Sequence, residues 1–223
     1  IIYFQKYFFQ LSSSISLPYQ QMSDPKPEET KTETSPSTDE ITDLIKQAKD
    51  LKNEKKFDEA IKLLEQAIEQ GKDQKDQEKN LGDAHETLKF IYCEVRKFDQ
   101  ALEQAEKTLT IFTQLDDKQR MSDNMHDIAF VLASNGNHQK AIEKYDEALT
   151  FTKEQFGEDH DNVALIYEHE AQSKAQEKVF DEALSYGEKS YKLREKNKGE
   201  YSQELIPSCM TLWNIYQMLG QIL

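Results

Sequence analysis

From Ile41 to the end of the chain, apolar residues recur three and four positions apart, which places them on one face of an α-helix. No segment shows the alternation of apolar and polar residues that a half-buried β-strand would have. Ser37 and Glu40 have the spacing of a capping box directly before Ile41. The pattern therefore predicts an all-α protein in which helices follow one another from about residue 41.

Four similar segments recur in this helical region. They are FDEAIKLLEQAIEQ from Phe57, FDQALEQAEKTLTIF from Phe98, HQKAIEKYDEALTFT from His138 and FDEALSYGEKSYKL from Phe180, and their shared alanines lie 41, 40 and 42 residues apart. We interpret the aromatic residue as the corner between two helices and the alanine as the point where these helices approach closely. The residues predicted to pack the repeats are Phe57, Ala60, Phe98, Ala101, Ala141, Phe180 and Ala183.

A first helix is predicted ahead of each of these segments. The position 12 residues before the shared alanine is small in three repeats, as Ala48, Ala129 and Ala171, whereas the second repeat has Lys89 there. Because one helix pair buries only part of its apolar surface, neighbouring pairs must stack to complete a core. The sequence thus predicts a right-handed α-solenoid of four helix pairs and a terminal helix. The repeats cover about residues 41–75, 80–115, 119–154 and 161–196, with a partial repeat at 202–223.

The first 40 residues differ from this pattern. Residues 1–21 have no initiator Met, and Met22 opens the sequence MSDPKPEE. We interpret residues 1–21 as a non-native or upstream-translated segment, with a signal peptide as the alternative. Residues 22–40 are rich in Pro, Ser, Thr, Glu and Lys and contain too few apolar residues to form a core, so they are predicted to be a disordered acidic tail.

The charge of the chain limits the classes of partner. Its net charge is -14, and 31% of its residues are charged. Such a surface repels nucleic-acid phosphates and anionic lipid, and it favours a basic or mixed-charge protein partner or simply gives solubility. No run of about 18 apolar residues suggests a membrane span. Two cysteines, Cys93 and Cys209, cannot form a disulfide framework and are interpreted as small core residues. A cytoplasmic location is predicted, with association to the cytoskeleton as an option.

No motif in the sequence indicates catalysis. A glycine-rich phosphate loop, a nucleophile elbow and paired cysteines are all missing from it. Asp159-His160-Asp161 is its one dense cluster of acids and histidine, and it falls in a predicted loop before a helix, where a solvated structural role is the expected one. The sequence therefore predicts a protein that is not an enzyme and that uses no cofactor or metal.

The corner motif Phe-Asp-Glu-Ala, with small residues such as Ala67 and Ala148 seven positions after the alanine, resembles the tetratricopeptide repeat family. The 40- to 42-residue interval and the stretch GEDHDNVALIYEHEA resemble the longer repeats of kinesin light chain. Kinesin light chains tend to carry Asn two positions before the small residue of the first helix, where this chain has Asp127, His169 and Thr211.

The resemblance implies a concave surface, lined by the first helices, that binds a peptide or a partner helix. The residues at the corresponding positions are Lys49, Glu86, Phe90, His126, Phe130, Glu168, Gln172, Met210 and Asn214. Phe90 and Phe130 fall at the same position of consecutive first helices. They are either exposed anchors for a ligand or core residues, and the sequence favours neither. The predicted function is a scaffold or adaptor for protein–protein interaction. Two alternatives remain: a structural subunit of a larger assembly, for example a cytoskeletal one, and a regulatory module of a longer protein.

The last helix is unusually apolar. Its apolar residues cover more than one face, so stacking on the fourth repeat cannot bury them all; they are Ile206, Met210, Leu212, Trp213, Ile215, Tyr216, Met218 and Leu219. We therefore expect this helix to be covered by a partner, by further sequence or by a second copy of the chain. Self-association through the C-terminal helix is one of these possibilities.

Overall fold

The computed structural model describes residues 38–220. Within this range it contains nine α-helices and no strands. The helices are α1 (Thr38–Asn53), α2 (Phe57–Gly71), α3 (Glu78–Glu94), α4 (Phe98–Gln114), α5 (Lys118–Ser134), α6 (His138–Phe156), α7 (Asp161–Gln176), α8 (Phe180–Lys198) and α9 (Ile206–Gly220). The predicted all-α architecture of four helix pairs and a terminal helix is confirmed. Residues 1–37, which include the predicted upstream segment, most of the predicted tail and Ser37 of the capping box, lie outside the described residues.

Each helix pair is closed by the same three-residue corner. The backbone N–H of the third corner residue bonds to the carbonyl five positions earlier, for example from Lys97 to Tyr92 at 2.8 Å and from Asn137 to Leu132 at 2.9 Å. This bond satisfies a carbonyl at the helix end, and it requires a positive φ at the middle corner residue. Gly136 has a φ of 80° in the third pair, and the other three corners hold Lys55, Arg96 and Lys178 at about the same angle.

The small residues of the repeat lie where helices meet. Ala60, Ala101, Ala141 and Ala183 are fully buried, and so are Ala48, Ala129 and Ala171 on the first helices. The aromatic residues that directly follow a corner are half-buried and pack against the core; they are Phe57, Phe98 and Phe180. Each helix also packs against the next pair, so the pairs stack in chain order. This stacking brings the first helices of successive pairs side by side.

The composition of the core changes along the array. The first two pairs share an apolar cluster that includes Ile41, Leu64 and Ile91, each of them fully buried. Between α7 and α8 the buried residues include Glu170 and Lys174, which occupy positions where the repeat pattern predicts apolar side chains. The described part of the solenoid therefore changes from a mainly apolar interior, in which Lys89 faces the next pair, to one with charged groups between the two helices of a pair.

Helix α9 follows a short 3₁₀ turn, Gln203–Leu205, and packs against α7 and α8. Cys209 lies on its outer face and is exposed, contrary to the prediction of a core residue, whereas Cys93 in α3 is half-buried. None of the described helices is long and apolar enough to cross a membrane.

Candidate functional site

The predicted groove residues all lie on first helices, namely α1, α3, α5, α7 and α9. We call the surface that these residues define the first-helix face; its members are Lys49, Glu86, Phe90, His126, Phe130, Glu168, Gln172, Met210 and Asn214. Their surroundings divide them into two groups. One group forms polar contacts between neighbouring first helices, and the other exposes its side chains.

Lys89 links α3 to α5. Its side chain is 1% exposed, and its ammonium group contacts the Asp127 carboxylate and donates a hydrogen bond to Asn124 Oδ1 at 3.3 Å. Asn124 in turn donates to the Ala105 carbonyl at 2.6 Å. Burial acts to raise the pKa of Asp127, but the hydrogen bond from His126 and the charge of Lys89 outweigh it, so the pKa is lowered. Lys89 departs from the small-residue pattern because it neutralises an acid of the next repeat.

Arg120 of α5 forms a second link to α3. Its guanidinium lies 2.8 Å from Asp83 Oδ1 and 2.9 Å from Glu86 Oε2, and Lys49 Nζ lies 3.9 Å from the other Asp83 oxygen. Partial burial raises the pKa of Glu86, and the positive charges of Lys89 and Arg120 oppose this rise. Glu86, predicted to face a ligand, is therefore also a member of an ion-pair network.

His126 links α5 to α7. Its Nε2 lies 2.7 Å from His169 Nδ1, and its Nδ1 lies 3.2 Å from Asp127 Oδ1. The Asp127 carboxylate accepts the hydrogen bond from His126, and the direction of the bond between the two rings depends on their tautomers. Burial, together with the neighbouring His126 and Arg194, lowers the pKa of His169 to about 3. His126 is only 7% exposed, so it differs from the prediction of a ligand-facing residue, since this contact turns its ring into the structure.

Glu168 of α7 is also buried, with 5% of its surface exposed. Its carboxylate lies 2.6 Å from the Arg194 guanidinium of α8, and Ser208 of α9 lies at 3.5 Å. Burial raises the pKa of Glu168, against the opposing charge of Arg194. This environment differs from the prediction that Glu168 faces a ligand. Gln172, one turn later, is exposed and donates to Thr211 Oγ1 at 2.9 Å.

Phe90 and Phe130 form the exposed apolar part of the first-helix face, with 44% and 41% of their surfaces accessible. The Lys89 ammonium lies 4.4 Å from the centre of the Phe90 ring, and the ring centres of His126 and His169 lie 6.3 and 5.1 Å from that of Phe130. Lys49, Met210 and Asn214 are also exposed.

The acids of this face are largely neutralised by neighbouring cations. Asp83 and Glu86 contact Arg120, Asp127 contacts Lys89, and Glu168 contacts Arg194. Sequence reasoning did not identify Arg120, Asn124 and Arg194, whose ion pairs and hydrogen bonds hold the other side chains of this face in place. One sequence signal can indicate such a link. It is a pair of opposite charges at nearby repeat positions of consecutive first helices, as in Lys89 and Asp127.

Asp159, His160 and Asp161 form the start of α7. His160 Nδ1 accepts a hydrogen bond from the Asn162 N–H at 3.3 Å, while Asp159 and Asp161 pair with Lys196 and Lys198 at 2.6 and 2.7 Å. Among residues 38–220, no group of three or more His, Cys, Asp or Glu side chains is arranged to hold a metal ion. The cluster caps α7 and ties it to the end of α8.

Comparison with known proteins agrees with this architecture. Residues 120–196 match the tetratricopeptide repeat family. No curated protein is significantly similar to the chain in sequence.

Several solved structures share the fold. BtubC from P. vanneervenii superposes with a TM-score of 0.68 at 20% identity, covering 81% of this chain and 73% of that one. A Podospora anserina protein described as a kinesin light chain with nearly identical TPR-like repeats gives 0.66 at 18% identity, covering 81% and 87%. A Rap protein complexed with competence and sporulation factor gives 0.64 at 20% identity, covering 82% of this chain and 50% of its own.

Helix pairs of the same construction precede and follow the region that matches the family model. The chain therefore contains tetratricopeptide repeats in residues 120–196, and its described helix pairs have the fold of TPR-like repeat proteins.

Proposed function

We propose that the protein is a scaffold or adaptor that binds a peptide or a partner helix on its first-helix face, with Phe90 and Phe130 as the apolar anchor points. The observation that carries this proposal is the exposure of both rings, 44% and 41%, at the same position of consecutive first helices. Exposed aromatic side chains on a fixed framework are typical of the residues that contribute most to binding.

The surroundings of the two rings hold them in place before a ligand arrives. Phe90 lies against the ammonium of buried Lys89, and Phe130 lies against the His126–His169 pair. Lys89 and the histidines are themselves fixed by contacts between first helices. A prearranged binding surface loses less conformational entropy on association than a mobile one. Apolar side chains of the ligand would therefore pack on rings that need little rearrangement.

The charges of the face favour a basic or mixed-charge ligand over an acidic one. Its acids are paired internally, but the chain as a whole carries -14, so an acidic ligand would be repelled at longer range. Added salt should weaken binding only moderately, because the apolar contacts are insensitive to screening. Tetratricopeptide repeats generally mediate protein–protein interaction, and the Rap structure of similar fold was solved as a complex.

The test uses a displayed library of random peptides, selected on the immobilised full chain. Selected peptides should carry apolar residues and a neutral or positive net charge. The double substitution Phe90→Ala with Phe130→Ala should weaken their binding by about tenfold or more, as expected when anchor side chains are removed. Titration calorimetry or fluorescence polarisation with the selected peptides measures this effect, at low and high salt.

The matched control is Leu115→Ala with Val179→Ala. These side chains are 39% and 41% exposed, but they lie at helix ends, away from the first-helix face. The control should bind the selected peptides as the unmodified chain does. Equal loss of binding in both double variants, or unfolding of the Phe90 and Phe130 variant below the assay temperature, would show that the two rings are not anchors.

A further inference from the structure

Helix α9 leaves one of its faces uncovered. Ile206, Met210, Trp213 and Tyr216 are 54%, 58%, 62% and 56% exposed. At 3.6 residues per turn they fall within about a third of the helix circumference, on the side opposite buried Ile215. We call these four side chains the α9 stripe.

The inner side of α9 is packed closely on the preceding repeat. A Cβ added to Gly187 of α8 would lie 2.8 Å from Leu212 Cδ2, so α8 and α9 approach each other closely at this point. Ser190 and Ser208 are buried together, with their hydroxyl oxygens 2.9 Å apart. These contacts fix the rotation of α9 about its axis. The helix therefore cannot turn to bury the α9 stripe against its own chain.

The α9 stripe is also unsuited to a second helix of the ordinary repeat kind. In the other first helices the position that corresponds to Trp213 holds Ala48, Lys89, Ala129 or Ala171, each almost fully buried. The three alanines let a second helix approach closely, and the long side chain of Lys89 reaches Asp127 of the next first helix. The indole of Trp213 at this position would hold such a helix away. The surface therefore suits a partner that packs around a protruding aromatic side chain.

The absence of charge on α9 indicates what that partner is. Its 15 residues, Ile206–Gly220, contain no Asp, Glu, Lys or Arg, although 31% of the chain is charged and its net charge is -14. Two copies of so acidic a chain repel each other where their charged surfaces meet. At α9 they can come together with apolar contact and without facing carboxylates.

We propose that the α9 stripe is the interface between two copies of this chain. A two-fold axis would place the same stripe on both sides, so that each Trp213 packs against apolar residues of the other copy. With about 100 Å² exposed on each of the four side chains, each copy offers roughly 400 Å², about half of a standard interface. An interface of this size is expected to be weak and reversible. This pairing shares Met210 with the first-helix face but uses neither Phe90 nor Phe130, so it does not depend on the proposed function.

Sedimentation velocity of the full chain across the micromolar range tests the proposal. The expected result is a reversible exchange between monomer and dimer. Met210→Glu with Trp213→Glu should raise the dissociation constant about tenfold or more, because it would place carboxylates opposite carboxylates. Leu115→Glu with Val179→Glu adds the same charge at side chains of 39% and 41% exposure elsewhere, and should leave the dimer unchanged. A chain that stays monomeric, or one whose dimer is equally affected by both double variants, would overturn the proposal.

Cys209 gives a second readout that does not require a variant to fold. Its thiol is exposed one turn before Trp213, whereas Cys93 is half-buried in α3 and serves as the internal reference. In the dimer the reaction of Cys209 with a thiol reagent should slow as protein concentration rises, relative to Cys93. A ratio of the two rates that does not change with concentration, or sedimentation into species larger than a dimer, would contradict the two-fold interface.

Discussion

The first two helix pairs and the fourth pair have the same architecture but different interiors. In the first two, buried side chains such as Ile41, Leu64 and Ile91 are apolar and need only to exclude water. In the fourth, Glu170 is fully buried on α7, with Lys174 Nζ 3.2 Å from its Oε1, and Lys174 also reaches Glu182 at 2.9 Å. The comparison shows that repeat geometry tolerates either interior. Within the fourth pair stability depends on the ionisation of Glu170, whereas the buried cation of the first two pairs, Lys89, faces α5 of the third pair.

The largest effect on stability is expected at the link between α3 and α5, which joins the first two helix pairs to the third. Lys89→Met should destabilise the fold by about 3 kcal/mol, because it leaves the largely enclosed Asp127 carboxylate without its cation. Adding Asp127→Leu should restore much of this loss, since both charges are then gone. Urea unfolding of the two variants measures the difference. If the double variant is no more stable than Lys89→Met, the pair does not act as a unit.

The second effect is the pH dependence that Glu170 contributes in the fourth pair. Burial, and secondarily the charge of Asp146, raises the pKa of Glu170 from an ordinary 4.5 to about 7. The unfolded chain therefore releases this proton at lower pH than the folded one, and the contribution of Glu170 to stability should fall as pH rises from about 4.5 to 7. The lowered pKa of His169 acts in the opposite direction over much of this range, so the contribution of Glu170 is isolated by comparing variants. The loss attributable to Glu170 is at most roughly 3 kcal/mol.

Glu170→Gln should remove this contribution, so that the difference in unfolding free energy between variant and unmodified chain grows in the variant's favour as pH rises to 7. Glu106→Gln changes an exposed acid of α4 and should give a difference that is nearly independent of pH. Thermal melting at a series of pH values provides both curves. Parallel curves for Glu170→Gln and the unmodified chain would show that Lys174 keeps Glu170 ionised throughout.

The smallest effect compares two buried glycines. A Cβ at Gly82 would lie 2.8 Å from Cζ of the buried Phe112 ring, whereas at Gly187 it would meet the end of the flexible Leu212 side chain. Gly82→Ala should cost about 1–3 kcal/mol through overpacking. Gly187→Ala should cost less, because Leu212 can move and alanine favours the helix by about 1 kcal/mol. The denaturation midpoints of the two variants give the order of their stabilities. If Gly187→Ala is the less stable variant, α9 is held more rigidly than the first two helix pairs.

The fold could be predicted because it depends on local spacing. A corner aromatic followed by an alanine, repeated at intervals of 41, 40 and 42 residues, is sufficient to define helix pairs and their stacking. The alignment of repeats also placed Phe90 and Phe130 at one position of consecutive first helices. Their exposure could not be deduced, because it depends on how the next repeat packs.

The surroundings of the other groove residues depend on contacts between distant parts of the chain. His126 meets His169, 43 residues later, and Glu168 meets Arg194 on the following helix. Local periodicity carries no information on such pairs, so both residues were expected to face a ligand and both are buried. Glu170 and Lys174 stand where the repeat pattern predicts apolar residues, and their separation of four positions is the one at which opposite charges meet on a helix.

The links between first helices also mean that these repeats are not interchangeable modules. Each junction has its own chemistry: Lys89 with Asp127, His126 with His169, and Gln172 with Thr211. If the third pair were duplicated in tandem, the copied Asp127 would face Ala129 where it now faces Lys89, and it would lose its cation. The array could then grow by duplication only if the new junction acquired a compensating substitution at the same time.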